Sequence, residues 1–174
     1  MGRRPPLTAR QSAEYLLACR PYSVQGLRKK LAEKEFDETD IEAAIMALLG
    51  YGYLNDDEYA RRLAESLRQR SYGPQRILQE LRRKGVEAET AQEVLAEQDE
   101  EVEPEEAEEQ LDALLRKLNK GRPMDMKEKN RLAGALARRG FAGEAAWSAL
   151  RRLAASAEAD EDVCGTPDEY MEEY

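Results

Sequence analysis

The sequence predicts an all-α protein, an elongated, curved array of three tandem three-helix repeats over residues 8–54, 55–102 and 103–154. Three observations predict it. The segment Arg70-Ser71-Tyr72-Gly73-Pro74-Gln75-Arg76-Ile77, with Leu81 and Lys84-Gly85-Val86 beyond it, is matched fifty residues earlier by Arg20-Pro21-Tyr22-Ser23 with Leu27, Leu31 and Phe36. Its second half recurs fifty-five residues later, from Arg131-Leu132 to Arg139-Gly140-Phe141. A period of this size marks stacked supersecondary units, each stabilised by its neighbours and together presenting a shallow concave surface. The hydrophobic content of 41% includes only two Phe and one Trp, so the core is chiefly Leu, Ala, Ile and Val, which suits small packed helices.

Each repeat reads as three helices. In the first, Ala13, Leu16 and Leu17 form one apolar stripe, Val24, Leu27 and Leu31 a second, and Ile41, Ala44, Ile45, Leu48 and Leu49 a third. Ser23 and Asp37 stand where the second and third helices need N-caps. Glu35 occupies the stop position at which the other repeats have Gly85 and Gly140, so it is expected in a left-handed conformation that favours glycine.

The second repeat opens at Asn55, with Glu58 three residues on as in a capping box, followed by Tyr59, Ala60, Leu63, Ala64 and Leu67. Tyr72-Gly73 is expected to end that helix, and Pro74 suits the first position of the next, where its missing N–H would be unpaired anyway. Ile77, Leu78 and Leu81 form the second stripe. Lys84-Gly85 reads as a stop, and a third helix starts near Ala88 with Ala91, Val94 and Leu95 inward.

The third repeat uses Ala107, Leu111, Leu114, Leu115 and Leu118, then Leu132, Ala135 and Leu136, then Ala146, Ala149, Leu150 and Leu153, with Trp147 also expected in the core. Its longer Gly121-Arg122-Pro123-Met124 loop accounts for the stretched period. Residues 1–7 are expected to be a flexible arm, and residues 155–174 an acidic, disordered tail with exposed Tyr170 and Tyr174.

The net charge of −9 conceals charge blocks. Residues 61–85 hold eight Arg or Lys against two Glu, residues 87–110 twelve acids and no base, and residues 111–154 eleven bases against four acids. The last twenty residues hold eight acids and no base. Local fields, rather than the total, therefore govern binding. No run of about eighteen apolar residues exists, and the first thirty residues lack the pattern of a secretory leader, so a cytoplasmic protein without membrane contact is expected. Cys19 and Cys164 have no metal-like spacing and fit a reducing compartment.

Catalysis finds little support. The chain has no His, no Gly-rich phosphate loop, no metal-spaced Cys and no paired carboxylates on a recognisable scaffold, so no enzyme activity, metal or cofactor is expected. The acids from Glu97 to Glu109 are read as a solvated helix start, with Pro104 opening a helix whose first turn is acidic. On a helix from Pro74, Arg76, Gln79 and Arg83 share one outward face, and Arg62 and Arg68 add charge from the helix before. Such guanidinium groups suit phosphates or a partner's carboxylates, although from charge alone a solvated face is an equally good reading. Tyr51, Tyr53, Tyr59 and Tyr72 cluster near the first junction and are read as seam packing in preference to contact residues.

Gly50-Tyr51-Gly52-Tyr53-Leu54-Asn55-Asp56-Asp57-Glu58-Tyr59-Ala60, then Tyr72-Gly73-Pro74-Gln75-Arg76-Ile77 with Glu80-Leu81 and Lys84-Gly85-Val86, closely resemble the two signature segments of the RecX family. The resemblance spans about residues 8–154 and extends to Ala18-Cys19-Arg20-Pro21-Tyr22-Ser23, whereas the third repeat keeps the helical stripe but little of the signature. It implies three tandem three-helix repeats that bind the RecA nucleoprotein filament and antagonise its recombinase, ATPase and coprotease activities without catalysis of their own. It also implies weak direct binding to DNA; the alternative is a helical module that acts on DNA itself. On that reading the contacts are Arg62, Arg68, Arg70, Tyr72, Arg76, Arg82, Arg83 and Lys84, and the chain is a monomer that needs no cofactor.

Overall fold

The computed structural model describes residues 7–100, 102–141 and 143–163. Among them all regular structure is helical: α1 (Ala9–Cys19), α2 (Val24–Ala32), α3 (Glu38–Gly50), α4 (Asp56–Gln69), α5 (Pro74–Arg83), α6 (Ala88–Glu100), α7 (Pro104–Asn119), α8 (Met126–Arg139) and α9 (Glu144–Val163). The chain forms two compact units, one through Glu101 with α1 to α6 and one from Val102 with α7 to α9.

The apolar stripes close three separate cores. Ala13, Leu27, Leu31, Ile41, Ile45, Leu48 and Leu54 form the first. Ala60, Ala64, Leu67, Ile77, Leu81, Val86, Ala91, Val94 and Leu95 form the second, and Leu111, Leu114, Leu115, Leu132, Leu136, Ala149, Leu150 and Leu153 build the third. In each, the third helix packs on both helices before it. The aligned columns Leu27, Ile77, Leu132 and Leu31, Leu81, Leu136 are all at most 1% exposed, and each such side chain contributes about 1.5–3 kcal/mol through burial.

The stop after the second helix is the same device three times. Phe36, Val86 and Phe141 donate their N–H groups to the carbonyls of Leu31, Leu81 and Leu136 at 3.5, 3.1 and 3.0 Å. Between each donor and its helix stands one left-handed residue: Glu35 (φ 62°), Gly85 (φ 86°) and Gly140 (φ 87°). This is the six-to-one bond of a Schellman cap, and it turns the chain so that the following apolar residue folds back on the core. Glu35 therefore holds the strained conformation expected of it.

Several local expectations are corrected. α4 ends at Gln69, and the left-handed residue is Ser71 (φ 58°); Gly73 is extended (φ −85°) and serves as N-cap of α5. Asp37 takes the N-cap position of α3 but makes no side-chain capping bond. Trp147 is 52% exposed, because Ala146, Ala149, Leu150 and Leu153 already fill the inward stripe of α9 and Trp147 falls to one side of it. Tyr51 and Tyr53 are exposed, whereas Tyr59 and Tyr72 pack against the second core. Ala107 is exposed because the inward stripe of α7 begins at Leu111, and Leu49 is displaced outward by its fully buried neighbour Leu48. α9 runs to Val163, so the segment expected to lose helical structure after residue 154 stays helical for nine more residues, which open with the good helix formers Ala155, Ala157, Glu158 and Ala159. The expected arm through residue 6, and Cys164, Tyr170 and Tyr174 of the tail, lie outside the described residues.

Candidate cationic site at the first seam

Repeats one and two meet through backbone groups that no apolar pattern specifies. Ser23 caps α2 by accepting from the Gly26 N–H at 3.0 Å, and its hydroxyl donates to the Lys84 carbonyl at 2.5 Å. The Val24 N–H, an otherwise orphaned donor of the first turn, bonds Asp56 Oδ1 at 2.8 Å. Burial pushes the Asp56 carboxyl above its ordinary pKa, against the opposing pull of that N–H. A Cβ at Gly85 would lie 2.8 Å from the Gln25 Cβ, so only glycine lets the α5 stop approach α2 this closely.

This seam gathers a cationic pocket of about 240 Å³. Arg20, Lys29 and Lys30 from repeat one face Arg83 and Lys84 from repeat two, with Glu33 the one acid among the lining residues. Lys30 is paired with that acid. Tyr22 and Tyr59 line the same pocket; the Arg20 guanidinium lies 4.6 Å from the Tyr22 ring centre, and burial pushes the Tyr59 phenol up. Five cations beside two phenol rings have the chemistry to hold phosphate or clustered carboxylates, with Lys30 already sharing its charge with Glu33.

The expected contact residues divide into separate places. Arg76 and Arg83 converge on Glu80, at 2.8 and 2.6 Å, and the hydrogen bond from Arg83 holds the Glu80 carboxyl below its ordinary pKa. Gln79 accepts from Arg76 at 3.1 Å. Arg82 is exposed but stands about 100° round the helix from Arg83. Lys84 reaches the pocket through the α5 C-cap, while Arg70 stacks on the Tyr72 ring at 5.4 Å. Arg62 pairs with Glu58 and lines a different groove. Arg68 is turned toward Asp99 of α6, and Arg61 bonds Glu97 at 2.6 Å, so the start of the acidic block serves as counter-charge for α4. In the third repeat Arg152 is likewise engaged with Asp112 at 2.9 Å and Arg131 with Glu128 at 2.8 Å. Arg83 thus lines the seam pocket while sharing its guanidinium with Glu80, and Lys84 lines the same pocket.

Arg20, Lys29 and Lys30 were not among the contacts expected from sequence, because the first sixty residues are nearly balanced in charge and show no basic block. The repeat itself carried the signal: Arg20-Pro21-Tyr22-Ser23 aligns with Arg70-Ser71-Tyr72-Gly73, and the last turn of α2 is basic. No group of three or more His, Cys, Asp or Glu among the described residues is arranged to hold a metal, and no described helix is long and apolar enough to cross a membrane.

Comparison with known proteins agrees with this architecture. Models of the first, second and third three-helix domains of RecX match residues 9–46, 55–95 and 105–150. The regulatory protein RecX of Deinococcus radiodurans is 35% identical over 161 residues, covering 87% of this chain and 74% of that one. That of Trichlorobacter lovleyi is 39% identical over 97 residues, 55% of this chain and 63% of that protein, so here the match spans less than two thirds of the relative. The crystal structure of RecX from Lactobacillus salivarius superposes with a TM-score of 0.73 at 20% identity, covering 83% of this chain and 94% of that one, a likeness of fold. With three domain models in tandem and a relative matched over most of both lengths, this chain belongs to the RecX family of regulatory proteins.

Proposed function

We propose that this chain is a noncatalytic regulator of the RecA recombinase that binds the RecA filament on single-stranded DNA and lowers its recombinase, ATPase and coprotease activities. It acts as a cytoplasmic monomer. The observation that carries the reading is the seam pocket, where Arg20, Lys29, Lys30, Arg83 and Lys84 converge on a chain whose net charge is −9. A nucleoprotein filament offers phosphates and acidic side chains together, and a focused cationic site finds it despite the overall negative charge. Membership in a family of regulatory proteins supports the same reading, as does the scarcity of catalytic side chains. The repeats bounded at 8–54, 55–102 and 103–154 are the units of the proposed interaction, with Arg70, Arg76 and Arg82 of the second repeat as secondary contacts outside the pocket.

Titrating the purified chain into RecA hydrolysing ATP on single-stranded DNA tests this. The expected result is a fall in ATPase at or below a one-to-one ratio; an unchanged rate at tenfold excess would reject it. A second reading, direct action on DNA, is favoured by the same five cations. It requires tight binding to naked DNA that weakens with salt in proportion to the phosphates neutralised.

A further inference from the structure

We propose that the open groove between α1, the α3–α4 turn and α4 is a second docking site, and that it takes an apolar side chain on an extended segment of the filament's protein subunit. The inference rests on the proposed function for its partner and on different residues for its site. The groove encloses about 880 Å³ and is lined by Leu17, Ala18, Pro21, Leu48, Tyr51 and Tyr53. Only Pro21 is shared with the cationic pocket.

Tyr51 and Tyr53 are 61% and 68% exposed, yet neither is loose. Gly52 is left-handed (φ 71°), and the Tyr53 N–H donates to the Leu48 carbonyl at 2.9 Å. Their ring centres are 6.2 Å apart, and the Arg10 guanidinium covers Tyr51 at 5.2 Å. Two exposed rings held in place offer large contact area at little further entropy cost, which is the character of an interface anchor.

Charge decides the kind of occupant. Arg10 bonds Glu14 at 2.9 Å and Arg62 pairs with Glu58, so the cations of this groove carry their own counter-ions. A polyanion therefore gains little here, where two lining cations face Glu14, whereas the seam pocket gathers five cations against Glu33. Each guanidinium still has N–H donors beyond those used, and the carbonyls of an extended polypeptide take them while an apolar side chain fills the floor. The complement is thus a protein segment with an apolar anchor.

The test compares the full-length chain with Tyr51→Ser/Tyr53→Ser and, separately, with Ala18→Trp, which fills the groove while keeping both rings. Binding is measured to the assembled RecA filament and to a naked single-stranded oligonucleotide. At least tenfold weaker filament binding by both variants, with oligonucleotide binding within twofold of the parent, is expected. Filament binding within twofold of the parent by either variant overturns the groove alone. An equal loss on the naked oligonucleotide makes it a base-stacking site and overturns the proposal. A parent chain that fails to bind the filament overturns the proposed function and this inference together. Because Ala18 is exposed, Ala18→Trp keeps the question answerable if removing the rings lowers the melting point.

Discussion

The Ser23 hydroxyl donates to the Lys84 carbonyl at 2.5 Å across 61 residues while accepting from the Gly26 N–H, so one side chain both caps α2 and closes α5 of the next repeat. Ser23 is 1% exposed, and alanine there removes the bond to a part-buried carbonyl and leaves a helix N-terminus uncapped. Ser23→Ala should lower the unfolding free energy by about 1–3 kcal/mol. The denaturant midpoint reads this, and a shift within error of zero would show that water replaces both bonds.

Glu35 and Gly85 occupy equivalent left-handed stops, and substitutions at the two should act in opposite directions. Glu35→Gly relieves a strain of about 1 kcal/mol, offset in part by the freer unfolded chain, and should raise Tm. Gly85→Ala meets both the positive φ and the Gln25 Cβ at 2.8 Å and should lower it. Thermal melts that move the same way for both would contradict the shared cap.

Asp56 gives a pH signature. Its folded pKa is raised by burial, so the native state binds the proton more tightly than the unfolded chain does. The stability this group contributes is present at low pH and declines as pH rises through the ordinary aspartate range toward the raised folded value. Asp56→Asn keeps an acceptor for the Val24 N–H and removes the half-buried charge. Its Tm should exceed the parent's at pH 7 and match it near pH 3; a lower Tm at pH 7 would mean that the carboxylate is needed there.

Glu80 has the opposite sign. Its folded pKa is depressed by Arg83, so its contribution is present above the ordinary glutamate range and is lost as pH falls through the folded value. Glu80→Gln should remove that acid-range loss and release Arg76 and Arg83 for a partner. If these arginines contact the filament, the variant binds it several-fold more tightly at low salt; unchanged affinity would place the contact elsewhere.

Much of the fold was legible because helical spacing and the fifty-residue repeat act together. Leu27, Ile77 and Leu132 align in sequence and are all buried. Pro74 and Pro104 mark helix starts by their missing N–H, and Gly85 and Gly140 mark stops by their freedom at positive φ. Trp147 misled because size suggests burial, whereas its angular position on α9 decides it. The site was less legible, since Lys29 and Lys30 meet Arg83 across a seam closed by the Ser23–Lys84 and Val24–Asp56 bonds, which pair side chains with distant backbone. Nor does a basic run in sequence reveal which arginines are engaged internally, as Arg68 is with Asp99.

The most direct measurement is the affinity of the RecA filament for the parent chain and for Lys29→Glu/Arg83→Glu, a double reversal that takes one cation from each side of the seam pocket. The cationic pocket as the contact predicts at least a tenfold loss with the melting temperature preserved. Filament affinity equal to the parent's, in a variant that folds normally, would contradict it.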